Sequence, residues 1–151
     1  MMDDLKELYQ EVILDHSKSP RNFGVINPHG HEGHGHNPLC GDTVTLYTNI
    51  DENGIIIDIS FEGKGCAISI ASASLLTQLV KGKTVQEAEK LFEKFHTMLT
   101  EDGKEPASIP EELRVLAGVK QFPMRVKCAT LSWHALKEAM PAKKNLVTEQ
   151  E

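Results

Sequence analysis

Apolar positions along the chain repeat with two different periods. Near the start, Leu5, Leu8, Tyr9 and Val12 recur at helical spacing, and Asp4 with Glu7 offers an N-cap and its capping-box partner. This predicts a short amphipathic helix that ends before Ser19-Pro20-Arg21-Asn22-Phe23-Gly24, because Pro20 disfavours helix at the residue preceding it and Gly24 suits a turn. Over residues 43–50 and 55–61 the period drops to two. Val44 and Leu46, then Ile55, Ile57, Ile59 and Phe61, alternate around Asp51-Glu52-Asn53-Gly54, the pattern of a β-hairpin. After Gly63 and Gly65 the helical period returns, with Ile68, Ala71, Leu75 and Leu79 on one stripe, small residues (Ser69, Ser72, Ala73) beside it, and Gly82 closing the helix.

Thr84 and Glu87 form a second capping box, followed by Ala88, Leu91, Phe92, Phe95 and Leu99 on one face. Residues 100–110 are polar, with two prolines and a glycine, and predict a loop. A short helix over 111–117 is expected to stop at Gly118, and a last helix to run from about Cys128 toward Met140, where Pro141 and a charged tail from about residue 142 end it. Strands early and helices late indicate an α+β domain: a small antiparallel sheet of about three strands with an N-terminal helix and other helices packed on one face. The 151 residues suit one domain spanning residues 1–151, with no internal repeat and no interdomain linker.

Composition narrows the function. The chain has no apolar run approaching the ~20 residues of a membrane span and no basic segment leading into an apolar one at its start, so a soluble, unexported, cytoplasmic protein is expected. The balance of 16 Lys+Arg against 22 Asp+Glu gives −6, which disfavours nucleic acid and favours a protein partner. Three cysteines cannot all pair internally, and reduced thiols in such a chain point to metal binding or catalysis.

Cys40-Gly41-Asp42 sets a thiol and a carboxylate two residues apart, on the same side if the segment is extended, and Gly41 leaves the backbone free to bend around a bound centre. Cys66 follows Gly63-Lys64-Gly65 at a strand-to-helix switch, near free N–H groups that favour a thiolate. Cys128 is expected to open the last helix, with Arg125 and Lys127 adding charge that favours deprotonation. Three thiolates and one carboxylate make a four-ligand set that Zn2+ accepts. By spacing alone the same cysteines also fit small buried hydrophobes, since none forms a CxxC pair. Their position at glycine-rich or charged segment boundaries weighs toward ligands.

With these residues assembled, the chain resembles the SufU-type branch of the IscU/NifU N-terminal family of iron-sulfur cluster assembly proteins. The resemblance is carried by Leu8-Tyr9, Asp15-His16, Pro20-Arg21-Asn22-Phe23-Gly24, Asn37-Pro38-Leu39-Cys40-Gly41-Asp42, Gly63-Lys64-Gly65-Cys66-Ala67-Ile68-Ser69 and Arg125-Val126-Lys127-Cys128-Ala129-Thr130-Leu131, in order over nearly the whole chain. It places the family's metal ligands on Cys40, Asp42, Cys66 and Cys128. In the scaffold branch a histidine precedes the third cysteine, whereas here that position is Lys127, and the segment between Cys66 and Cys128 is longer, as in the SufU branch. The resemblance implies a zinc-bound sulfurtransferase that docks on a SufS-type cysteine desulfurase and accepts persulfide sulfur on Cys40, with a cluster scaffold as a further downstream partner. A metal-bound thiolate is partly quenched, so Cys40 is expected to leave the metal and a partner histidine to take its place.

Two other functions compete. One is a scaffold that builds an iron-sulfur cluster on the same thiolates, and the other a structural zinc module without sulfur chemistry. The histidines of residues 29–36 (His29, His31, His34, His36) read as a solvated glycine-rich loop rather than a second metal site. His16 reads as a satisfied structural histidine, Trp133 and His134 are candidates for partner contact against plainer readings as core and surface, and Ser69 and Ser72 lack the partners of a serine triad.

Overall fold

A computed structural model describes residues 2–28, 30–100 and 109–140, with residues 2–9 described as backbone. The element order is α1 (Met2–Lys18), β1 (His31–Asn37), β2 (Asp42–Ile50), β3 (Ile56–Lys64), α2 (Ala67–Val80), α3 (Val85–Thr100), α4 (Glu111–Arg114), a 3₁₀ segment (Ala117–Gln121) and α5 (Pro123–Glu138). The predicted loop over 100–110 and the tail beyond 141 lie outside the described residues, apart from Thr100, Ile109 and Pro110. So do His29 and the side chains of Asp4, Leu5, Glu7, Leu8 and Tyr9. Among the described residues no helix is long and apolar enough to cross a membrane.

The three strands form one antiparallel sheet in the order β1-β2-β3. The β2–β3 hairpin turns where Asp51 Oδ1 accepts the N–H groups of Asn53 (2.9 Å) and Ile55 (3.0 Å), and Gly54 takes the left-handed φ of +80° that the turn demands. Its inward alternation, Val44 and Leu46 with Ile59 and Phe61, is buried in the core as the period of two implies. Ile56 joins this core, while Ile57 points outward and is half exposed.

β1 corrects the expectation of a loop over the histidine-rich stretch. Residues 31–37 pair with 42–48, from His31↔Thr48 to Asn37↔Asp42. The strand alternates like any other, but its inward positions are Gly33, Gly35 and Asn37, which carry no apolar signal. Glycine is required there because α5 crosses close by. A Cβ on Gly33 would run into the backbone of Ala135 and Ala139, and one on Gly35 would come within 3.0 Å of Leu131.

α2 and α5 pack on this face. α2 is buried on nearly all sides, so the apolar stripe read from its sequence marks only part of its contact surface. Its small residues let α5 approach: the Ser72 hydroxyl donates to the Ala129 carbonyl and accepts from Trp133 Nε1 at 3.2 Å. Trp133 is fully buried against Phe92 and Phe95, with ring centroids 6.0 and 5.0 Å away. α3 starts on the predicted capping box. Thr84 N–H donates to Glu87 Oε1 (2.9 Å), and Glu87 N–H donates to Thr84 Oγ1 (3.1 Å).

Two helix boundaries differ from expectation. The helix over 111–117 is shorter, ending at Arg114, and Gly118 does not stop it but lies inside the following 3₁₀ segment. α5 begins at Pro123, five residues ahead of Cys128, because proline is well suited to a first helical position, where no intrahelical N–H is needed.

Candidate metal centre

The sheet register brings the site together. Asn37↔Asp42 closes the β1–β2 connection, so residues 38–41 form a tight turn at the same end of the sheet where β3 finishes, opposite Thr43, at Lys64. The Asn37 carbonyl accepts the N–H groups of Cys40 (3.3 Å) and Gly41 (2.8 Å), Asn37 Oδ1 accepts that of Leu39 (3.1 Å), and Gly41 sits at φ +74°. Cys40 and Asp42 therefore converge through a left-handed turn at Gly41, not through the side-to-side alternation of an extended segment. Asn37 organises this turn, a role signalled by an asparagine two residues before the loop's N–H groups but not assigned to it from sequence.

Cys66 is the N-cap of α2, two residues beyond β3. Its N–H donates to Asp42 Oδ1 (3.1 Å), and its thiol lies 3.7 Å from Asp42 Oδ2. One carboxylate is thereby oriented from both sides. Gly65 makes this possible: a Cβ there would sit 2.5 Å from Asp42 Oδ1. That contact spans 23 positions of sequence and has no local signature.

Cys128 arrives from the second turn of α5, not from the start of the helix as expected. Its Sγ lies 3.7 Å from Cys40 Sγ. Ligand-type atoms of Cys40, Asp42 and Cys128 all fall within 4.8 Å of one another, and Cys66 joins them through Asp42. Cys40, Asp42 and Cys128 meet at this point with Cys66 beside them against Asp42, while His31, His34 and His36 lie along β1. There His34 bonds Thr45 (3.2 Å) and pairs with Glu32 (2.7 Å).

Exposure is graded across the four. Cys40 is exposed, Cys66 intermediate, and Cys128 and Asp42 are buried, at 2% and 1%. Burial, with Asp42, Cys66 and Cys40 as neighbours, pushes the Cys128 thiol well up from its ordinary value. Arg125 and Lys127 do not offset this, because both side chains are exposed while Cys128 points inward. The expectation that they favour the Cys128 thiolate is corrected accordingly. A cation in the site would supply the charge that removes this proton.

The two donor pairs in closest contact, Cys40–Cys128 and Cys66–Asp42, have the spacing zinc requires, while Cys66 lies outside the group of three whose ligand atoms are all within 4.8 Å of one another. With Zn–S of ~2.3 Å, two thiolates on a tetrahedral ion stand about 3.8 Å apart, and a thiolate and a carboxylate oxygen about 3.6 Å. The observed S···S and S···O separations are each 3.7 Å.

His16 has a structural role, and His134 lies at the surface. His16 Nδ1 bonds Ser74 Oγ at 2.7 Å in a buried position, and burial holds its pKa below the usual histidine range. His134 is exposed at the surface of α5, against the Phe92 ring.

Residues 8–129 match the family model described as NifU-like N terminal domain. The zinc-dependent sulfurtransferase SufU of Bacillus subtilis is 42% identical over 137 residues, covering 91% of this chain and 92% of that protein. The iron-sulfur cluster assembly scaffold protein IscU of Streptococcus pyogenes is 43% identical over 147 residues, covering 95% and 89%. A crystal structure from Fervidobacterium islandicum, described as an iron-sulfur cluster assembly scaffold for the SUF system, superposes with a TM-score of 0.75 at 38% identity, covering 87% of this chain and 95% of that one. With a family model matching residues 8–129 and relatives more than 40% identical along most of the chain, the chain belongs to the NifU-like N-terminal domain family.

Proposed function

We propose that this protein is a zinc-dependent sulfurtransferase of iron-sulfur cluster assembly, working in the cytoplasm with a SufS-type cysteine desulfurase. Cys40, Asp42, Cys66 and Cys128 hold the ion, whose charge keeps their thiols deprotonated. The observation that carries the reading is the graded exposure of the four. Cys40 stands on a solvent-facing turn, while Asp42 and Cys128 are buried and Cys66 is tied to Asp42. Cys40 is thus the donor whose withdrawal leaves the other three in place.

In the transfer, the Cys40 thiolate attacks the outer sulfur of a persulfide on the desulfurase. A new S–S bond forms at Cys40 as the desulfurase S–S bond breaks, and the desulfurase cysteine departs as a thiolate. The 42% identity to a protein named as a zinc-dependent sulfurtransferase supports this reading.

A second reading is a scaffold that assembles a two-iron, two-sulfur cluster on the same thiolates. The scaffold names of two relatives favour it, and Lys127, where the scaffold branch carries histidine, weighs against it.

The test is to purify the protein without added metal, measure zinc and iron, then mix it with a cysteine desulfurase and cysteine and locate added sulfur by mass spectrometry. Zinc with one sulfur added to Cys40 is the expected result. Iron with visible absorbance would replace it with the scaffold, and zinc with no sulfur uptake would reduce the site to a structural module.

A further inference from the structure

A cleft of about 330 Å³ opens beside Cys40, between the turn that carries it and the outward stripe of α5. His36, Asn37 and Leu39 form one wall, and Lys127, Thr130 and His134 face them. Although the chain carries a net charge of −6, the cleft is lined by one lysine, two histidines and no carboxylate. Arg125, its near neighbour in sequence, lines a different cleft.

The polar groups of the lining are mostly donors, set beside the apolar Pro38, Leu39 and Leu131. Asn37 is 6% exposed; its Oδ1 accepts the Leu39 N–H, and among the described residues its Nδ2 has no hydrogen-bond partner. A buried, unpaired amide N–H is costly and calls for an acceptor. The Thr130 hydroxyl donates to the Val126 carbonyl at 3.0 Å. His134, at the surface of α5, is held below the usual histidine range by partial desolvation against its neighbours and then by the charges of Lys137 and His96.

Both walls stand one residue from the metal centre. Leu39 precedes Cys40, and Lys127 precedes Cys128, whose sulfur is 3.7 Å from that of Cys40. The volume is at the small end of ligand sites, which are roughly 300–1,000 Å³, so it suits a molecule of amino-acid size.

We propose that this cleft seats the carboxylate of a small thiol that takes sulfur from Cys40. The proposal rests on the reading of Cys40 as sulfur carrier. In the step, the bound thiolate attacks the outer sulfur of the Cys40 persulfide. The S–S bond to Cys40 breaks as a new one forms to the small thiol, which leaves as its persulfide while Cys40 returns to thiolate. Lys127 anchors the acid and holds its sulfur beside Cys40.

The experiment has two arms, both on the zinc-loaded full chain. In the first, isotope-labelled protein is titrated with 3-(methylthio)propanoate, which has no reactive thiol, and with its amide. Saturable shifts of the Asn37 side-chain amide and of residues 127–134 are expected with the acid alone. K127Q and H134Q should each weaken binding about tenfold, as for the loss of one charge-assisted or buried contact. Equal response to acid and amide, or shifts elsewhere on the molecule, would overturn the site.

In the second arm, protein carrying sulfur on Cys40 is mixed with 3-mercaptopropanoate or with the corresponding thiol amide. Sulfur release to the acid is expected to be about tenfold faster, and to fall to the amide's rate in K127Q. Binding without this difference would overturn the exchange role. A protein that never takes sulfur on Cys40 would overturn the carrier reading and the exchange step together, and the first arm would still decide whether the cleft binds acids.

Discussion

Gly65→Ala would place a methyl group 2.5 Å from Asp42 Oδ1 and 2.7 Å from its Cγ. The carboxylate has little room to yield: Asp42 is 1% exposed, and Oδ1 already accepts the Cys66 N–H at 3.1 Å. Either it rotates and loses that bond, or the backbone leading into α2 retreats and carries Cys66 with it. Overpacking of this kind costs about 1–3 kcal/mol, and a lost hydrogen bond to a charged group adds about 1.5–3 kcal/mol. Because Asp42 and Cys66 are both proposed ligands, much of that cost falls on the metal site. Zinc affinity should drop about 10–100-fold, the range for loss of a group that orients a ligand. Competition against a chromophoric chelator measures this directly, and thermal midpoints of zinc-loaded and stripped protein separate it from a general loss of stability. Gly118→Ala serves as control, since its added Cβ would meet nothing within 4 Å, and it should change stability by no more than about 0.5 kcal/mol. Zinc binding by Gly65→Ala within about twofold of the native chain would refute the reasoning.

Gly33→Ala should lower stability by at least about 1–3 kcal/mol, because its methyl group meets the backbone of α5 rather than a side chain that can move; a thermal midpoint equal to the native chain's would argue against this packing. Thr84→Ala removes half of the capping box of α3 and should cost about 0.5–2 kcal/mol in urea unfolding, with zinc affinity unaltered. His16 supplies a pH dependence. Its folded pKa lies below the unfolded value of about 6.5, so stability is fully present above that value. As pH falls through it, the unfolded chain takes up a proton that the folded one resists, and stability drains until the folded pKa is reached. Unfolding measured on either side of this window should show the loss, and His16→Gln should flatten it; an unchanged slope in that variant would assign the effect to other groups.

The parts of the fold legible in the sequence are those whose signal is local. The capping box at Thr84 and Glu87, the Asp51 turn and the alternation of β3 each depend on residues within a few positions of one another. β1 escaped notice because its inward face is made of glycines, which are dictated by the approach of α5 and bear no hydrophobic mark. The start of α5 carries a local signal, Pro123 at a first helical position, five residues ahead of the boundary expected at Cys128. At the site, the residue types and their segment boundaries pointed to a metal from sequence. What sequence could not convey is the division of labour among the four. Which thiol is exposed, which is buried, and how Gly65 yields space to Asp42 are consequences of register and helix crossing.

X-ray absorption at the zinc edge tests the central claim most directly. The native chain should show three sulfurs at about 2.3 Å and one oxygen at about 2.0–2.2 Å, and Cys40→Ser should keep its zinc with one sulfur fewer. A shell dominated by nitrogen, or a Cys40→Ser spectrum identical to the native one, would contradict it.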